Sequence, residues 1–443
     1  MKAETSTDVK VSAFGARPGD GQDDTAAFLK AAEACQRQPG SKLVLEPGQY
    51  DVGVGKGLAE KSEGLKFRDC KDLTIEGNGA TLMFRGLTRA FDFLNCRNVT
   101  ISNLTVDWAR PPHSTGRVIA VTTNNSFDVE IPPEFPVSGG EPIQAFQDYD
   151  PQAEFHVPAG LDAWYCVKNT ELLRPQVLRV HIDRAKDPSF TERERMHAGM
   201  LLGLRHQVYG YEAFFMAECY NVRMRDVTVH TCPGMAFLAS HGGDFSFERV
   251  KVTRRPNTKW LISATADGFH FTSCKGPIRI EDCVWEGQGD DAINVHGMYL
   301  TVTKKLDSRT VEAVERWYDW DETAEPGSRI ELMHPDTMQT FGKAVVKTCT
   351  FRPGTPKRIY TVVFDGDLPD GLAPEDLLLN VDRIGADIQI RRCVAKRNRA
   401  RGFLIQTRDA AIEDCVFDHC SMSALLLCAG PGGESGGARD VTI

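Results

Sequence analysis

Long hydrophobic runs are absent from this chain, and so is any excess of basic residues. No stretch reaches the roughly 18 to 20 consecutive apolar residues of a membrane-spanning helix, and the first residues form no apolar signal segment. The 443 residues include 52 Lys and Arg against 61 Asp and Glu, a net charge of −9. Because phosphate binding needs basic residues, we expect no nucleic-acid partner, and we expect no membrane span and no signal peptide within this sequence.

Zinc motifs are also absent, since none of the 13 cysteines forms a Cys-x-x-Cys pair. The cysteines belong instead to two recurring phrases. A Cys, one polar residue, Asp or Asn and alternating apolar residues occur at 70–75, 96–101 and 219–224. The phrase Ile-Glu-Asp-Cys-Val followed by an aromatic residue occurs at 280–285 and 412–417. Repeats of this length, rich in short β-forming segments, predict an all-β fold in which the chain winds as a parallel β-helix.

The cysteines recur at one phase of this predicted coil. Free Cys behaves as a small hydrophobic residue, so we expect Cys70, Cys96 and Cys219 to stack inside the β-helix rather than to form disulfides or bind metal. At the N-terminus, residues 9–14 and 41–45 are predicted strands, and Asp23 or Asp24 caps a helix from about Thr25 to Cys35 that closes the end of the coil. A calcium loop at Asp20, Asp23 and Asp24 is the alternative, but the spacing is not that of an EF-hand.

Two stretches interrupt the repeat and divide the chain into five parts. Residues 1–110, 213–297 and 386–443 are predicted to form β-helix coils, the last of which stops in mid-coil. Residues 111–212 and 298–385 alternate as strands without the repeat, and each is long enough for a β-rich, barrel-like inserted domain. Insertions into repeats usually lie on one face, which is often the binding face.

Three carboxylates break the pattern of the repeat. When Ile280 is aligned with Ile412, Asp290 and Asp291 replace ordinary residues while the following strand keeps its frame. At an offset of 24 residues, Asp267 takes the phase of Asp291 on the neighbouring coil, about 4.8 Å away. Clustered carboxylates disfavour joint ionisation and can supply both an acid and a base. Catalysis is the favoured interpretation, with a calcium site and a structural Asp ladder as alternatives. Strict alternation would point Asp267 and Asp291 inward, so the turn before each strand must break it.

The segment 266–296 carries a resemblance to a known family. Ala-Asp267-Gly-Phe and Gly-Asp290-Asp291-Ala-Ile-Asn resemble the polygalacturonase-type β-helix glycosidases, although a Gly-His-Gly and an Arg-x-Lys of the polygalacturonase kind are missing. A β-rich insert directly after His296 and an earlier one after Trp108 are similar to glycoside hydrolase family 110, the α-1,3-galactosidases. The resemblance implies a right-handed, pectin-lyase-like parallel β-helix.

The resemblance also implies an activity. It predicts an exo-acting, inverting hydrolase that removes terminal α-1,3-linked galactose from blood-group-B-type or linear glycans without a metal or other cofactor. Asp290 would be the general acid, and Asp267 and Asp291 would hold and deprotonate the water, with acid and base roughly 6.5 to 9.5 Å apart. The resemblance suggests a secreted or periplasmic protein of a bacterium. The alternatives are a polygalacturonase-like hydrolase of acidic polysaccharides and a noncatalytic carbohydrate-binding β-helix.

Further substrate contacts are predicted near the carboxylates. We expect them from Asn294, His296, His270, Trp260 and Arg254. Trp260 could stack on galactose or pack in the core, and Arg254 belongs to a loop that either walls the site or is simply solvated. The basic stretch 391–401 is interpreted as a solvated surface or as a contact for a uronate or sulfate.

Overall fold

The computed structural model describes residues 7–53, 57–62, 64–123, 125–158, 160–187, 196–315, 324–353, 358–434 and 436–443. Strands dominate these residues, and the described helices are Thr25–Arg37 and two short 3-10 turns, Val11–Phe14 and Arg184–Lys186. No described helix is both long and apolar enough to cross a membrane.

The body of the molecule is a parallel β-helix, as predicted. One long sheet, here sheet A, has 15 strands: Thr7–Lys10, Ser41–Val44, Gln49–Val52, Lys71–Phe84, Arg97–Trp108, Tyr220–Val229, Gly243–Glu248, Lys251–Val252, Lys275–Glu281, Val284–Glu286, Ile388–Arg391, Val394–Lys396, Arg408–Glu413, Val416–Asp418 and Arg439–Thr442. Sheet B has eight: Leu65–Arg68, Phe91–Leu94, Phe214–Ala217, Phe237–Ser240, Phe269–Thr272, Ile293–His296, Phe403–Gln406 and Leu425–Leu427. Lys61–Ser62 and Leu87–Thr88 form a separate parallel pair.

The register of the coils confirms the repeats read from the sequence. Ile280 pairs with Ile390, and Ile390 pairs with Ile412 on the next coil. Phe269 pairs with Ile293, which confirms the offset of 24 residues across the segment that holds the carboxylates. Each strand buries alternate apolar side chains against the coils on either side, so one continuous hydrophobic core runs along the β-helix.

The repeated cysteines lie inside the β-helix, as their common position in the repeat predicts. All 13 are free thiols, and Cys70, Cys96 and Cys219 are buried. Each of these three thiols donates to the backbone carbonyl two residues earlier, of Arg68, Leu94 and Ala217 respectively. The expectation of an internal cysteine ladder without disulfides is therefore confirmed.

The N-terminal end of the coil is closed by a helix. Thr25–Arg37 buries Phe28, Ala31 and Cys35 against the first coils, and the Asp23 carboxylate accepts a hydrogen bond from the Thr25 backbone N–H. The predicted strand 9–14 is wrong in part: the strand covers Thr7–Lys10, and a 3-10 turn follows because Gly15, at φ 104°, turns the chain towards the helix.

The two inserted stretches form antiparallel β structure. The first contains a seven-stranded sheet, here sheet C: His113–Thr123, Ser126–Glu130, Ala145–Tyr149, Asp162–Trp164, Val167–Arg174, Val177–Ile182 and Leu201–Arg205. The second contains a closed barrel: Tyr299–Lys305, Thr310–Glu315, Arg329–Met333, Thr340–Arg352, Ile359–Phe364 and Leu377–Asn380. Among the described strands only the second insert closes into a barrel, whereas sheet C remains open at its edges.

Candidate active site

The three aspartates lie in two stacked turns that lead into sheet B. Asp267 precedes the strand Phe269–Thr272, and Asp290 and Asp291 precede Ile293–His296. The Gly268 N–H donates to the Asp291 carbonyl at 2.8 Å, which joins the two turns. Because the aspartates precede the strands, the alternation of the strands does not govern them, and their side chains leave the core as the sequence analysis required.

Glycines beside the aspartates let these turns approach closely. A Cβ at Gly289 would lie 2.3 Å from the carbonyl oxygen of Thr265, and one at Gly268 would lie 2.2 Å from the Trp285 ring. Both distances are shorter than any van der Waals contact, so a larger residue at either position would push the turns apart. The Asp-Gly and Gly-Asp-Asp motifs are therefore packing requirements of the site.

The carboxylates are close together and almost fully buried. One oxygen from each lies within 4.8 Å of the others, and Asp291 and Asp267 are 1% and 3% exposed. The backbone N–H of Asp291 donates to Oδ1 of Asp267 at 3.0 Å. The separation of the nearest oxygens is shorter than the roughly 6.5 to 9.5 Å that the sequence analysis expected between an acid and a base with water between them.

Three arginines balance the charge of this cluster. Arg401 donates its backbone N–H and its Nε–H to Oδ1 of Asp291, at 2.9 and 2.6 Å. Arg399 donates to Oδ1 of Asp290 at 3.0 Å. Arg205, at the end of sheet C, is fully buried and donates to the carbonyl oxygens of Thr265 and Gly289. These positive charges offset the free-energy cost of burying several carboxylates together.

The first insert supplies an aromatic wall next to Asp290. The Tyr209 hydroxyl donates to Oδ2 of Asp290 at 2.7 Å. The Trp164 ring lies 6.4 Å from that of Tyr209, and the guanidinium carbons of Arg205 and Arg399 lie 4.3 and 4.9 Å from its centroid. Trp164 therefore holds two of the three arginines in place beside the carboxylates.

The environment separates the pKa values of the three aspartates. Burial and the charge of Asp290 raise the pKa of Asp267 well above its ordinary value, and burial with the charges of Asp290 and Asp267 does the same for Asp291. Burial also acts to raise the pKa of Asp290, but Arg399, the Tyr209 hydroxyl and Arg205 outweigh it, so the pKa of Asp290 is lowered. Of the three, Asp290 therefore ionises most readily, and Asp267 and Asp291 hold a proton more strongly than an ordinary aspartate does.

A chain of hydrogen bonds extends from Asp267 through two histidines. Nδ1 of His270 lies 2.7 Å from Oδ2 of Asp267, and its Nε2 lies 2.9 Å from Nε2 of His296. Nδ1 of His296 lies 2.8 Å from the Gly297 carbonyl, which can only accept. Neutral His296 therefore presents a lone pair at Nε2, so His270 donates there and one proton lies between His270 and Asp267. Burial lowers the pKa of His270, which favours placing this proton on the carboxyl group.

Asn294 and His296, both predicted contacts for the substrate, occupy the same strand beside this chain. The Oδ1 of Asn294 is buried and accepts no hydrogen bond in the described part of the structure. Its amide nitrogen lies 3.5 Å from the Glu434 carboxylate, and Nε2 of His296 lies 3.9 Å from it. Asn294, His296 and His270 are thus brought together with the aspartates, while their contact with a sugar stays a prediction.

Trp260 does not belong to this site, which corrects its assignment as a stacking residue. It is 3% exposed and packs between Phe135 and His113 of the first insert, with the Arg255 guanidinium 4.0 Å from its ring centroid. No ring face is left for a sugar. The large apolar area of an indole makes such packing favourable wherever an insert meets the β-helix.

Arg254 and the basic stretch 391–401 are engaged mainly by the protein's own acids. Arg254 donates to Glu154 and Glu286, at 3.3 and 3.0 Å, and to none of the three aspartates. Arg391, Arg392 and Arg397 pair in the same way. Their partners are Glu413, Glu281, Asp282 and Glu286. The sequence analysis expected this stretch to be solvated or to contact a uronate or sulfate. Neither expectation included the pairing of Arg399 and Arg401 with the site aspartates.

Arg399, Arg401, Arg205, Tyr209 and Trp164 are site residues that the sequence analysis missed. A signal existed for Arg401, because the alignment of Ile280 with Ile390 places it in the phase of Asp291, as the observed register does. Arg205, Tyr209 and Trp164 come from the non-repeating first insert, where no repeat shows which side chains reach the β-helix.

The oxygen cluster is also chemically able to bind a cation. Three carboxylates within 4.8 Å suit a hard divalent ion. Both oxygens of Asp290 are, however, hydrogen-bonded, to Arg399 and Tyr209, and Oδ1 of Asp291 accepts twice from Arg401. The residues present thus neutralise the cluster with arginine, and a metal would have to displace these contacts.

Fold and site together define a parallel β-helix that carries three clustered carboxylates in adjacent turns. Curated relatives resemble it over nearly the whole chain. An α-1,3-galactosidase A of Bacteroides fragilis is 27% identical over all of this chain and 76% of its own length. An α-1,3-galactosidase B of Bacteroides thetaiotaomicron is 28% identical over 98% of this chain and 74% of its own. The resemblance seen in the sequence is confirmed.

Other comparisons are more distant. No family model matches the chain. Among solved structures, the catalytic unit of an α-1,3-glucanase from Streptomyces thermodiastaticus aligns with 95% of this chain and 42% of its own, at 11% identity and a TM-score of 0.38. A likeness at this level says nothing about the activity of this chain.

Proposed function

We propose that the chain is an exo-acting α-1,3-galactosidase that removes terminal galactose from blood-group-B-type or linear α-galactosyl glycans with inversion. The observation that carries the proposal is the cluster of Asp267, Asp290 and Asp291, whose oxygens lie within 4.8 Å of one another and whose pKa values are driven apart. The similarity, over nearly all of this chain and about three quarters of each relative, to proteins named α-1,3-galactosidase supports the choice of sugar and linkage.

The proposed step is a single displacement at the anomeric carbon. The water oxygen forms a bond to that carbon while the bond to the glycosidic oxygen breaks. Asp290 gives its proton to the departing oxygen, and Asp267 with Asp291 takes the proton that the water loses. Arg399 and Arg401 stay in place and compensate the change in charge on the carboxylates.

The acid role requires the proton held by Asp267 and Asp291 to move to Asp290 when the substrate is bound, so that Asp290 can donate and the other two can accept. In the unliganded site Arg399, Tyr209 and Arg205 lower the pKa of Asp290, so binding of the sugar must weaken those contacts before Asp290 can donate. The reverse assignment agrees directly with the unliganded pKa order: the proton held by Asp267 and Asp291 goes to the leaving group, and Asp290 accepts the proton from water. Both assignments use the same three residues.

The stereochemistry of the first product tests the mechanism. Hydrolysis of a galactosyl-α-1,3-galactose disaccharide followed by proton NMR should show β-galactose first, before mutarotation. Release of α-galactose would contradict the single displacement and would fit the short distance between carboxylates, which is nearer to that of retaining enzymes. Polygalacturonate, run in parallel, is expected to remain intact, and its cleavage would contradict the assignment of the sugar.

A further inference from the structure

Exposed aromatic side chains are few in the described part of the chain, and two of them border the site. Among the well-exposed large hydrophobic side chains, the aromatic ones are Tyr165, Tyr209 and Phe351, which are 53%, 52% and 47% exposed. Phe351 lies on a strand of the barrel in the second insert. Tyr165 and Tyr209 both belong to the first insert, and their ring centroids lie 6.0 and 6.4 Å from that of Trp164.

Tyr209 is fixed at the cluster while its ring stays open to solvent. Its hydroxyl donates to Asp290 at 2.7 Å, so the ring lies directly beside the carboxylate cluster. The Trp164 ring behind it is held by a hydrogen bond from its indole N–H to Asp162 at 2.8 Å and by Arg205 and Arg399. An exposed ring on so rigid a support loses little entropy when a ligand packs against it.

Tyr165 is held in a backbone conformation that costs energy. Its φ of 50° is uncommon for a residue with a Cβ, and its N–H donates to the Gln144 carbonyl at 2.6 Å. The same conformation recurs at many turns between the strands of this molecule, so it fixes the turn that leaves the Tyr165 ring half exposed.

We propose that Tyr165 and Tyr209 form the subsite for the sugar that carries the terminal galactose, by packing their rings against its apolar face. The inference rests on the proposed function and deepens it: the aspartates act on the galactose, and the first insert recognises the sugar on its leaving side. The rings offer aromatic faces with few fixed hydrogen-bond directions, so the subsite selects the shape of a pyranose rather than one set of hydroxyls.

A comparison of two substrates distinguishes binding at this subsite from the chemical step at the aspartates. Galactosyl-α-1,3-galactose has a second ring, whereas methyl α-galactoside has none. The ratio of their kcat/KM values should fall about tenfold in Tyr165→Ala, because the lost contact concerns only the second ring. Tyr209→Ala should lower the same ratio. Tyr209→Phe keeps the ring and loses the hydrogen bond to Asp290, so it should slow both substrates and preserve the ratio.

Phe351→Ala is the matched control, because it removes an equally exposed ring far along the chain and should leave the ratio unchanged. An unchanged ratio in both Tyr165→Ala and Tyr209→Ala, with circular dichroism and Tm like those of the parent, overturns the subsite. If the parent protein hydrolyses neither substrate, the proposed function fails on its own. Calorimetric titration of the two sugars into Asp290→Asn then decides the subsite: a preference for the disaccharide that Tyr165→Ala removes supports it, and equal affinities refute it.

Discussion

At the scale of single residues, Asp290 differs from its two neighbours in its side-chain hydrogen-bond partners. It pairs with Arg399 and Tyr209, whereas Asp267 pairs with His270, and Asp291 with Arg401. Environment rather than residue type therefore lowers the pKa of Asp290 and raises those of Asp267 and Asp291.

The division of labour among these aspartates can be measured with leaving groups. If Asp290 is the acid, Asp290→Asn should slow the hydrolysis of the disaccharide about 10²- to 10⁴-fold, because its departing oxygen needs the proton. An activated aryl galactoside, whose leaving group departs with little help, should lose much less. Asp267→Asn and Asp291→Asn should slow both substrates to a similar extent. The reverse pattern, in which Asp267→Asn discriminates and Asp290→Asn does not, would establish the reverse assignment.

The raised pKa of Asp267 also predicts a gain in stability on its removal. The folded protein holds this proton to higher pH than the unfolded chain, so the free energy of unfolding falls as pH rises from the ordinary pKa towards the folded one. Asp267→Asn has no carboxyl group to ionise at this position, so its free energy of unfolding does not fall in this way as pH rises. We expect its Tm to exceed that of the parent by about 1–3 °C at pH 7, and the difference to shrink near pH 4.

Asp226 provides a control of opposite sign. The hydrogen bond from Arg249 lowers its pKa, so its contribution to stability is present at neutral pH and lost in acid. The pair is half exposed, and Asp226→Asn should lower Tm only slightly at pH 7. A lower Tm for Asp267→Asn at pH 7 would show that its bond to His270 outweighs the cost of burial.

At the scale of elements, the coils of the β-helix place side chains of successive turns in a ladder. Asp267, Asp291 and Arg401 occupy the same position on three consecutive coils, as the pairing of Phe269 with Ile293 and of Ile293 with Phe403 shows. Position on the coil thus brings together residues that are 24 and 110 apart in sequence.

Removing a neighbouring arginine should shift the pH profile of the enzyme. Without Arg399, the pKa of Asp290 rises, so the limb of the kcat/KM profile that reports Asp290 should move to higher pH in Arg399→Gln. Arg391→Gln is the control, because Arg391 pairs with Glu413 on the surface and should leave the profile unmoved. If Arg399→Gln lost activity without any shift of the pH profile, Arg399 would contribute through packing and not through the pKa of Asp290.

The burial of most cysteines predicts how the folded protein reacts with thiol reagents. Burial raises the pKa of the Cys35 thiol to about 11 and helps to raise that of Cys232 to about 12, so these thiols are neither accessible nor ionised at pH 8. A thiol reagent should label few cysteines in the folded protein and all 13 after denaturation in guanidinium. Reductant should leave the Tm unchanged, and a Tm that falls on reduction would indicate disulfides.

At the scale of the whole molecule, two inserts surround a scaffold that is itself regular. Sheet C brings Arg205 and Trp164 against a turn of the β-helix, and the second insert begins directly after the strand that carries Asn294 and His296. The scaffold fixes the carboxylates, while the first insert adds positive charge and aromatic surface around them.

Because arginine side chains neutralise the carboxylates, we expect the hydrolysis to need no metal ion. Because Arg399 and Arg401 already neutralise the carboxylates, prolonged treatment with a chelator should leave hydrolysis of the disaccharide unchanged. Added calcium should not raise the Tm. A loss of activity that a divalent ion restores would contradict this and would assign the oxygen cluster to a metal.

The sequence by itself determined the β-helix, its register and the three aspartates, because a repeat of coils converts spacing along the chain directly into stacking. Asp267 and Asp291 are neighbours in space for that reason alone. Only the tertiary structure decided what surrounds them: Tyr209, Arg205 and Trp164 reach the site through non-local packing of an insert that has no repeat. It also decided that Trp260 is core, and that the pKa of Asp290 is lowered while that of Asp267 is raised. Those outcomes depend on burial and on charges distant in sequence, which no local pattern records.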